Sequence, residues 1–283
     1  MRLADVAPAT AAVFRCAYAL PLLGALAWHE RRRYGPAVGA DRRFVALAGV
    51  FFAADLVLWH YAIEDVGAGL ATVLGNLQVV LVPLIAWLVL SERPSGRILV
   101  ALPVALSGIV LISGVLERGA FGEDPARGVA FGIATGISYA GFILLLRRGN
   151  RDERRPAGPL FDASAVSVVV TVGIGMAVRD VDLVPAWPAH GWLLLLAVSS
   201  QVLGWLLISV SLPRLPAALT SLLLCIQPVG SVLLGVLLLG ERPSALQLAG
   251  VGCILAGLLA VANRSSSARG SLRTAPVKER VSA

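Results

Sequence analysis

Two oppositely charged residues interrupt apolar runs of the chain. Arg15 lies in PATAAVFRCAYAL and Asp55 lies in VFFAADLVLWHYAI. A charged side chain at such a place needs an ionic partner, backbone carbonyls, a water-filled cavity or a path to the membrane interface. Arg15 therefore indicates either an interfacial, structural residue or a cavity residue. Asp55 would pair with Arg15, bind a cationic substrate group or accept a proton, and Trp59, one turn on, shares its helical face.

Amide, hydroxyl and aromatic groups occupy further positions within the apolar runs. Thr72 and Asn76 are four residues apart and share a helical face, whereas Gln78 lies on another face. Such groups either contact polar groups of a substrate or hydrogen-bond one helix to the next. The candidate binding residues are Arg15, Asp55, Trp59, Thr72, Asn76, Gln78, Tyr139, Gln201, Trp205 and Gln227.

Several catalytic and cofactor chemistries have no motif in the sequence. The chain has no HExxH, GxSxG, P-loop or DDxxD pattern, so ATP use by the chain itself is not predicted. Its three cysteines lie inside apolar runs without CxxC spacing, which argues against a disulfide framework or a zinc site. No catalytic residue, metal or cofactor is therefore predicted.

The composition is that of a membrane protein. Apolar residues make up 57% of the chain and charged residues 14%, against about 45–50% and about 25% in soluble domains. The apolar residues are concentrated in runs of roughly 18–23 residues, the length that a helix needs to cross about 30 Å of hydrocarbon. We predict nine spans, at 11–28, 44–63, 70–90, 98–116, 129–146, 161–178, 192–210, 217–239 and 245–262.

The basic residues predict the orientation of these spans. Eighteen Arg and Lys residues fall on one side of the predicted topology and five on the other. The positive-inside rule places the larger group in the cytoplasm, so the N-terminus lies outside the cytoplasmic (inner) membrane. The Ser/Arg-rich tail, 263–283, is then a cytoplasmic segment that we expect to be disordered. The net charge of +7 has this topological explanation, and nucleic-acid binding is not predicted.

Two copies of a short motif mark an internal duplication. SERPS at 91–95 and GERPS at 240–244 each end a long apolar run and precede another. The offset of 149 residues also aligns Gln78 with Gln227 and Gly108 with Gly257, which indicates a repeat. A repeat of five spans inserts its second copy in the opposite sense, as in transporter folds. The motif residues are expected to cap helices instead of contacting substrate, and they are Glu92, Arg93, Pro94, Glu241, Arg242 and Pro243.

The chain resembles the EamA-type members of the drug/metabolite transporter superfamily. The resemblance covers residues 8–262 and rests on LLLGERPSALQLAGVGCILAGLLAV, its partner at 87–112 and the arginine in PATAAVFRCAYAL. It implies two inverted five-helix repeats and export or uptake of small metabolites such as amino acids. The repeats would be 8–116, with four spans, and 127–262, with five, so the first helix of the ten-helix pattern is expected to be missing.

These features lead to a prediction of function. An all-α polytopic protein with inverted repeats is expected to be a secondary transporter that moves a small molecule across the bilayer by alternating access. The driving force would be a proton gradient, another ion gradient or the gradient of the substrate itself. The alternatives are a non-transporting or truncated membrane subunit or scaffold, and a membrane-embedded enzyme, for which the sequence offers no clustered catalytic residues.

Overall fold

The computed structural model describes residues 6–35, 41–112, 116, 124–239 and 244–262, and within these residues it contains helices and no strand. The first half of the chain forms α1 (Pro8–Ala17), α2 (Leu20–Tyr34), α3 (Arg42–Gly75), α4 (Gln78–Leu90) and α5 (Gly96–Ile112). The second half forms α6 (Pro125–Gly149), α7 (Ala157–Val178), α8 (Ala189–Leu196), α9 (Trp205–Ser211), α10 (Ala217–Leu223), α11 (Ile226–Leu239) and α12 (Ala245–Ala262). Glu241, Arg242, Pro243 and the tail at 263–283 lie outside the described residues.

Several of these helices join end to end into longer rods. A single turn links α1 to α2, and a π-helical segment, Ala197–Gly204, links α8 to α9. The helix α3 changes direction at Gly67, whose φ of 78° and ψ of 160° favour glycine because a Cβ would be strained there. The rods therefore overlap the predicted spans, and α3 continues past Gly67 into the predicted span 70–90.

Six stretches in the described residues are long and apolar enough to cross a membrane. They are Pro8–Tyr34, Arg42–Gly67, Ala71–Leu90, Ala126–Gly149, Ala157–Val178 and Ala189–Arg214. The shorter apolar helices Gly96–Leu111, Ala217–Gly230 and Ala245–Ala260 occupy the positions of the three remaining predicted spans. The predicted fold class, an all-α polytopic membrane protein, is thus confirmed.

The last helices of the two halves, α5 and α12, pack against each other in opposite directions. A Cβ added to Gly108 would lie 2.7 Å from the carbonyl oxygen of Gly250. Towards the other ends of the helices, a Cβ added to Gly257 would lie 3.4 Å from the carbonyl oxygen of Ala101. The 149-residue offset carries Gly108 onto Gly257 and Ala101 onto Gly250, so one contact occurs twice. A contact repeated in this way defines a two-fold relation between antiparallel helices, as inverted repeats require.

The two halves also interrupt corresponding helices, at places that differ by one residue from the 149-residue offset. Between α3 and α4, the backbone N–H of Leu77 donates to the carbonyl of Leu74 at 3.1 Å. Between α10 and α11, the N–H of Cys225 donates to Leu222 at 3.0 Å. Both bonds span three residues instead of four and tighten the helix for one turn. Gln78 and Gln227 therefore each stand just after a tightened turn.

The repeat motif connects helices across the molecule. The Glu92 carboxylate accepts a bond from Arg147 Nη1 at 2.6 Å and one from the backbone N–H of Ala217 at 3.2 Å. Glu92 thus caps α10, a helix distant in sequence, whereas Ser95 accepts from the N–H of Ile98 at 3.5 Å to cap α5. The neighbouring Arg93 and Pro94 border a surface cavity beside Pro216.

The close approach of α5 and α12 generates a stability prediction. Gly108→Ala should lower the free energy of unfolding by about 1–3 kcal/mol, because the new methyl group overlaps the Gly250 carbonyl. Gly252→Ala is the matched control on α12, since a Cβ there meets open space, and it should be neutral or stabilising by up to about 1 kcal/mol. Thermal-unfolding midpoints in detergent measure both effects. A midpoint for Gly252→Ala as low as that for Gly108→Ala, or lower, would contradict the contact.

Candidate functional site

A cavity of about 460 Å³ lies in the middle of the bundle. Its walls come from α1, α3, α6, the end of α8, the π-helical segment, α9 and the start of α11. Asp55 stands at the centre of the Arg42–Gly67 span, and Tyr139 stands near the centre of Ala126–Gly149. The cavity is therefore at mid-depth in the spans, where transporters of inverted-repeat type hold their substrates.

Eight of the ten residues singled out from the sequence line this cavity. The lining includes Arg15, Asp55, Trp59, Thr72, Asn76, Tyr139, Trp205 and Gln227. They come from distant parts of the chain, which the helices bring together.

The two remaining candidates, Gln78 and Gln201, lie outside the cavity lining. Both side chains are fully buried between helices. Gln78 Nε2 donates to the carbonyl oxygen of Ser221 at 3.4 Å, and Gln201 Nε2 donates to Ser164 Oγ at 3.3 Å. For these two amides the structure favours helix-to-helix bonding, because their donors are already used at interfaces that the cavity does not reach.

The two charged residues of the cavity face each other without forming an ion pair. Arg15 Nη2 donates to Ser200 Oγ at 3.1 Å, while its Nε is buried without a hydrogen-bond partner among the described residues. Within the same part of the chain, no hydrogen bond or ion pair engages the Asp55 carboxylate. The direct pairing of Arg15 with Asp55 that the sequence left open is therefore not what the structure shows. A guanidinium and a carboxylate are both presented to the cavity.

Further polar groups border these charges. The Tyr139 hydroxyl and the Gln227 side-chain amide lie near each other in the cavity lining. Asn76 Nδ2 donates to the carbonyl oxygen of Thr72, one turn earlier, at 2.8 Å. The position of the Asn76 side chain is thereby set before any ligand enters, which lowers the ordering cost of binding.

Aromatic rings close one side of the cavity. The rings of Phe52 and Phe142 stack with centroids 4.3 Å apart, and the Trp205 ring meets them edge-on at 5.5 Å and 4.6 Å. Phe52 precedes Asp55 in α3, and Phe142 follows Tyr139 in α6. Both lie towards the arginine-rich end of the bundle, where α3 begins and α6 ends and which carries Arg42, Arg43, Arg147 and Arg148. This aromatic cluster therefore separates the cavity from that end of the bundle.

Side-chain hydrogen bonds, called polar ties below, join separate segments beyond the cavity at both ends of the bundle. At the arginine-rich end, Arg147 Nε donates to the Leu212 carbonyl at 3.1 Å, in addition to its bond with Glu92. At the opposite end, Arg127 Nε donates to Asp65 Oδ2 at 2.8 Å, and the Tyr61 hydroxyl donates to Asp180 Oδ2 at 2.8 Å. Arg147 links α6 to the segments after α9 and α4, Arg127 links α6 to α3, and Tyr61 links α3 to the loop after α7.

Sequence reasoning missed part of the lining, and periodicity would have found some of it. Phe52 and Leu56 share a helical face with Asp55 and Trp59, and Thr135 lies one turn before Tyr139. Gly204 carries no such signal, because a small residue in an apolar run looks like ordinary helix packing.

Comparison with known proteins finds a family model that matches this chain, and relatives that resemble it. Residues 1–114 and 126–263 each match the model of the EamA-like transporter family. An uncharacterized protein of Pseudomonas aeruginosa is 30% identical over 87% of this chain and 84% of its own length. An uncharacterized transporter of Archaeoglobus fulgidus is 27% identical over 77% of this chain and 76% of its own. A protein crystal structure with 17% sequence identity superimposes with a TM-score of 0.74 over 93% of this chain and 90% of that one, which shows a shared fold.

The different environments of Asn76 and Gln78 give a labelling prediction. In a background without the native Cys16, Cys225 and Cys253, Asn76→Cys should react with a charged, water-soluble thiol reagent at least about tenfold faster than Gln78→Cys. The reason is that Asn76 borders the cavity whereas Gln78 is fully buried between helices, and the reactive thiolate needs water. Mass spectrometry of quenched time points gives the two rates, and equal rates would contradict this placement.

Proposed function

The chain belongs to the EamA-like transporter family, and from this premise we propose that it is a secondary transporter of a small zwitterionic metabolite, such as an amino acid, that works by alternating access. It is a multi-pass membrane protein, and the family is one of transporters. The observation that carries the proposal is the pair of opposite charges, Arg15 and Asp55, that face one mid-depth cavity without bonding to each other.

The chemistry of the cavity supports a substrate with both charges. A substrate carboxylate would accept charge-assisted bonds from the Arg15 guanidinium, and a substrate ammonium would donate to Asp55. The indole rings of Trp59 and Trp205 supply apolar walls between the two polar ends. A volume of about 460 Å³ lies within the range of small-molecule sites.

The repeat organisation supports alternating access. The repeats at 8–116 and 127–262 would rock about their two-fold relation, opening the cavity to one side and then to the other. Opening at the arginine-rich end would separate the ring of Trp205 from Phe52 and release the bond between Arg147 and Glu92. Opening at the other end would release Arg127 from Asp65.

The distribution of charges supports a proposal for the orientation and for the coupling ion. We place the protein in the cytoplasmic membrane with the arginine-rich end in the cytoplasm, as the positive-inside rule directs. Asp55 is the carboxylate in the cavity lining, so it is our candidate for proton coupling. In this scheme the substrate ammonium and a proton compete for Asp55. That competition links the movement of substrate across the membrane to the movement of protons.

Removing the cavity arginine should change substrate preference in a specific way. In proteoliposomes, Arg15→Gln should weaken transport of zwitterionic amino acids by about 30-fold or more, since loss of a buried charge partner costs about 2–5 kcal/mol. The corresponding amines without a carboxylate should lose far less. Glu64→Gln, which neutralises an exposed carboxylate of α3 outside the cavity, is the control and should transport normally. Equal losses for amino acids and amines would refute the assigned role of Arg15.

Neutralising Asp55 should separate uphill from downhill transport. Asp55→Asn should abolish accumulation driven by a pH gradient, because the variant has no group at this position that can take up and release a proton. Exchange of labelled for unlabelled substrate at equal pH should continue at a reduced rate. Uptake into vesicles with and without an imposed pH gradient distinguishes the two activities, and unchanged dependence on the gradient would remove Asp55 from this role.

A further inference from the structure

A second cavity, of about 390 Å³, lies at the arginine-rich end of the bundle. It is bounded by the end of α2, the start of α3, the loop after α6 and the first turn of α7. Four arginines from these separate elements line it: Arg31, Arg42, Arg151 and Arg155. The cavity is distinct from the mid-depth site, with which it shares none of its lining residues.

Arg155 is a buried cation with unused donor capacity. The residue is 7% exposed, its Nη2 donates to the Tyr34 carbonyl, and its Nε lies 3.2 Å from Asp152 Oδ2. Its Nη1 is buried and has no hydrogen-bond partner among the described residues. A buried donor without a partner costs about 1–3 kcal/mol, and more when the group is charged. An anion in this cavity would remove that cost.

The carboxylates that line this cavity offset its arginines only in part, because Asp152 pairs with Arg155 and the lining still has one more arginine than carboxylate. The two oxygens of Glu30 accept the N–H groups of Ala157 and Gly158, at 3.0 Å and 3.1 Å. Burial alone would raise the pKa of Asp152, but bonds from Arg154 and the nearby Arg155 hold it below its usual value, so Asp152 is ionised. With Asp162 the cavity has three carboxylates against four guanidinium groups, and two of the three are already engaged.

The walls of the cavity are apolar where the bundle meets lipid. Gly24 and Ala27 of α2 face Phe161 of α7, and Val45 of α3 completes this surface. Trp28 stands at the edge with 56% of its surface exposed, and the Arg32 guanidinium lies 3.9 Å from its ring centroid. An exposed indole beside guanidinium groups is typical of the membrane interface. A ligand here would meet positive charge at one end and hydrocarbon-like walls at the other.

We propose that this cavity binds the phosphate headgroup of an anionic phospholipid, with the start of an acyl chain between α2 and α7. The phosphate accepts bonds from Arg155 and from the more exposed Arg42 and Arg151, and the glycerol backbone lies against Phe161. Basic pockets between transmembrane helices hold anionic headgroups by this chemistry. A soluble phosphate ester shares the charge but would leave the apolar walls without a partner, so the lipid is the favoured occupant.

The test titrates phosphatidylglycerol or phosphatidylcholine into the detergent-purified protein and counts bound lipids by native mass spectrometry. Phosphatidylglycerol should bind to the wild-type chain in preference to phosphatidylcholine. Arg42→Gln and Arg151→Gln should each weaken phosphatidylglycerol binding about fivefold, at about 1 kcal/mol for each basic residue near an anionic surface. Arg33→Gln removes a charge from the same end outside this cavity and should leave the affinity unchanged.

A second pair of variants tests the cavity without altering charge. A Cβ on Gly158 meets open space at the cavity wall, so Gly158→Leu should fill the site and abolish preferential lipid binding. Gly173→Leu is the control, since Gly173 lies on the same helix with open space but away from the cavity. An equal effect of Arg33→Gln, or full binding in Gly158→Leu, would overturn the proposal. Competition by inorganic phosphate or glycerol 3-phosphate at concentrations equal to the lipid would reassign the site to a soluble anion.

Discussion

A charge buried in a membrane protein must find its partner within the protein or in trapped water, because hydrocarbon offers none. In this chain the constraint acts on Arg15. The π-helical segment Ala197–Gly204 meets part of it by carrying Ser200 to the guanidinium. A π-helical turn widens the helix and changes the direction of its side chains, which is why such turns recur at functional sites. The next residue, Gln201, faces the opposite way, into the contact with Ser164.

The same constraint explains why the polar ties lie where they do. Arg127 and Arg147 lie at the two ends of α6, Glu92 follows the end of α4, and Asp65 lies beside Gly67, where the span ends. A long basic side chain that is released at such a place can reach water or headgroups. Ties at the ends therefore break at low cost, whereas the closely packed contact between Gly108 and Gly250 would resist separation. Close packing thus holds α5 to α12 along their length, whereas individual side-chain bonds join the helices near the two ends of the bundle.

Sequence reasoning located the helices and most of the cavity for physical reasons. Hydrocarbon thickness fixes span length, so apolar runs are readable, and polar residues within them are rare enough to mark a cavity. It could not decide between Gln78 and Gln227, because that choice depends on the rotation of each helix about its axis. It also missed the bond of Glu92 with Arg147 and the cap on Ala217, which join residues far apart in the chain. Such contacts follow from packing that no local pattern records.

The repeat symmetry of the helices is not kept by the side chains of the cavity. At the offset that aligns the two halves, Arg15 corresponds to Ser164 and Phe52 corresponds to Gln201. In the second half, Ser164 and Gln201 bond to each other in a closed helix interface, whereas Arg15 and Phe52 border open space. Asp55 likewise corresponds to Gly204, which has no side chain to place. The two halves thus share their helices, whereas both charged side chains of the cavity belong to the first half. The zwitterionic substrate that we propose would therefore bind in one favoured orientation, because both charged side chains of the cavity come from the first half.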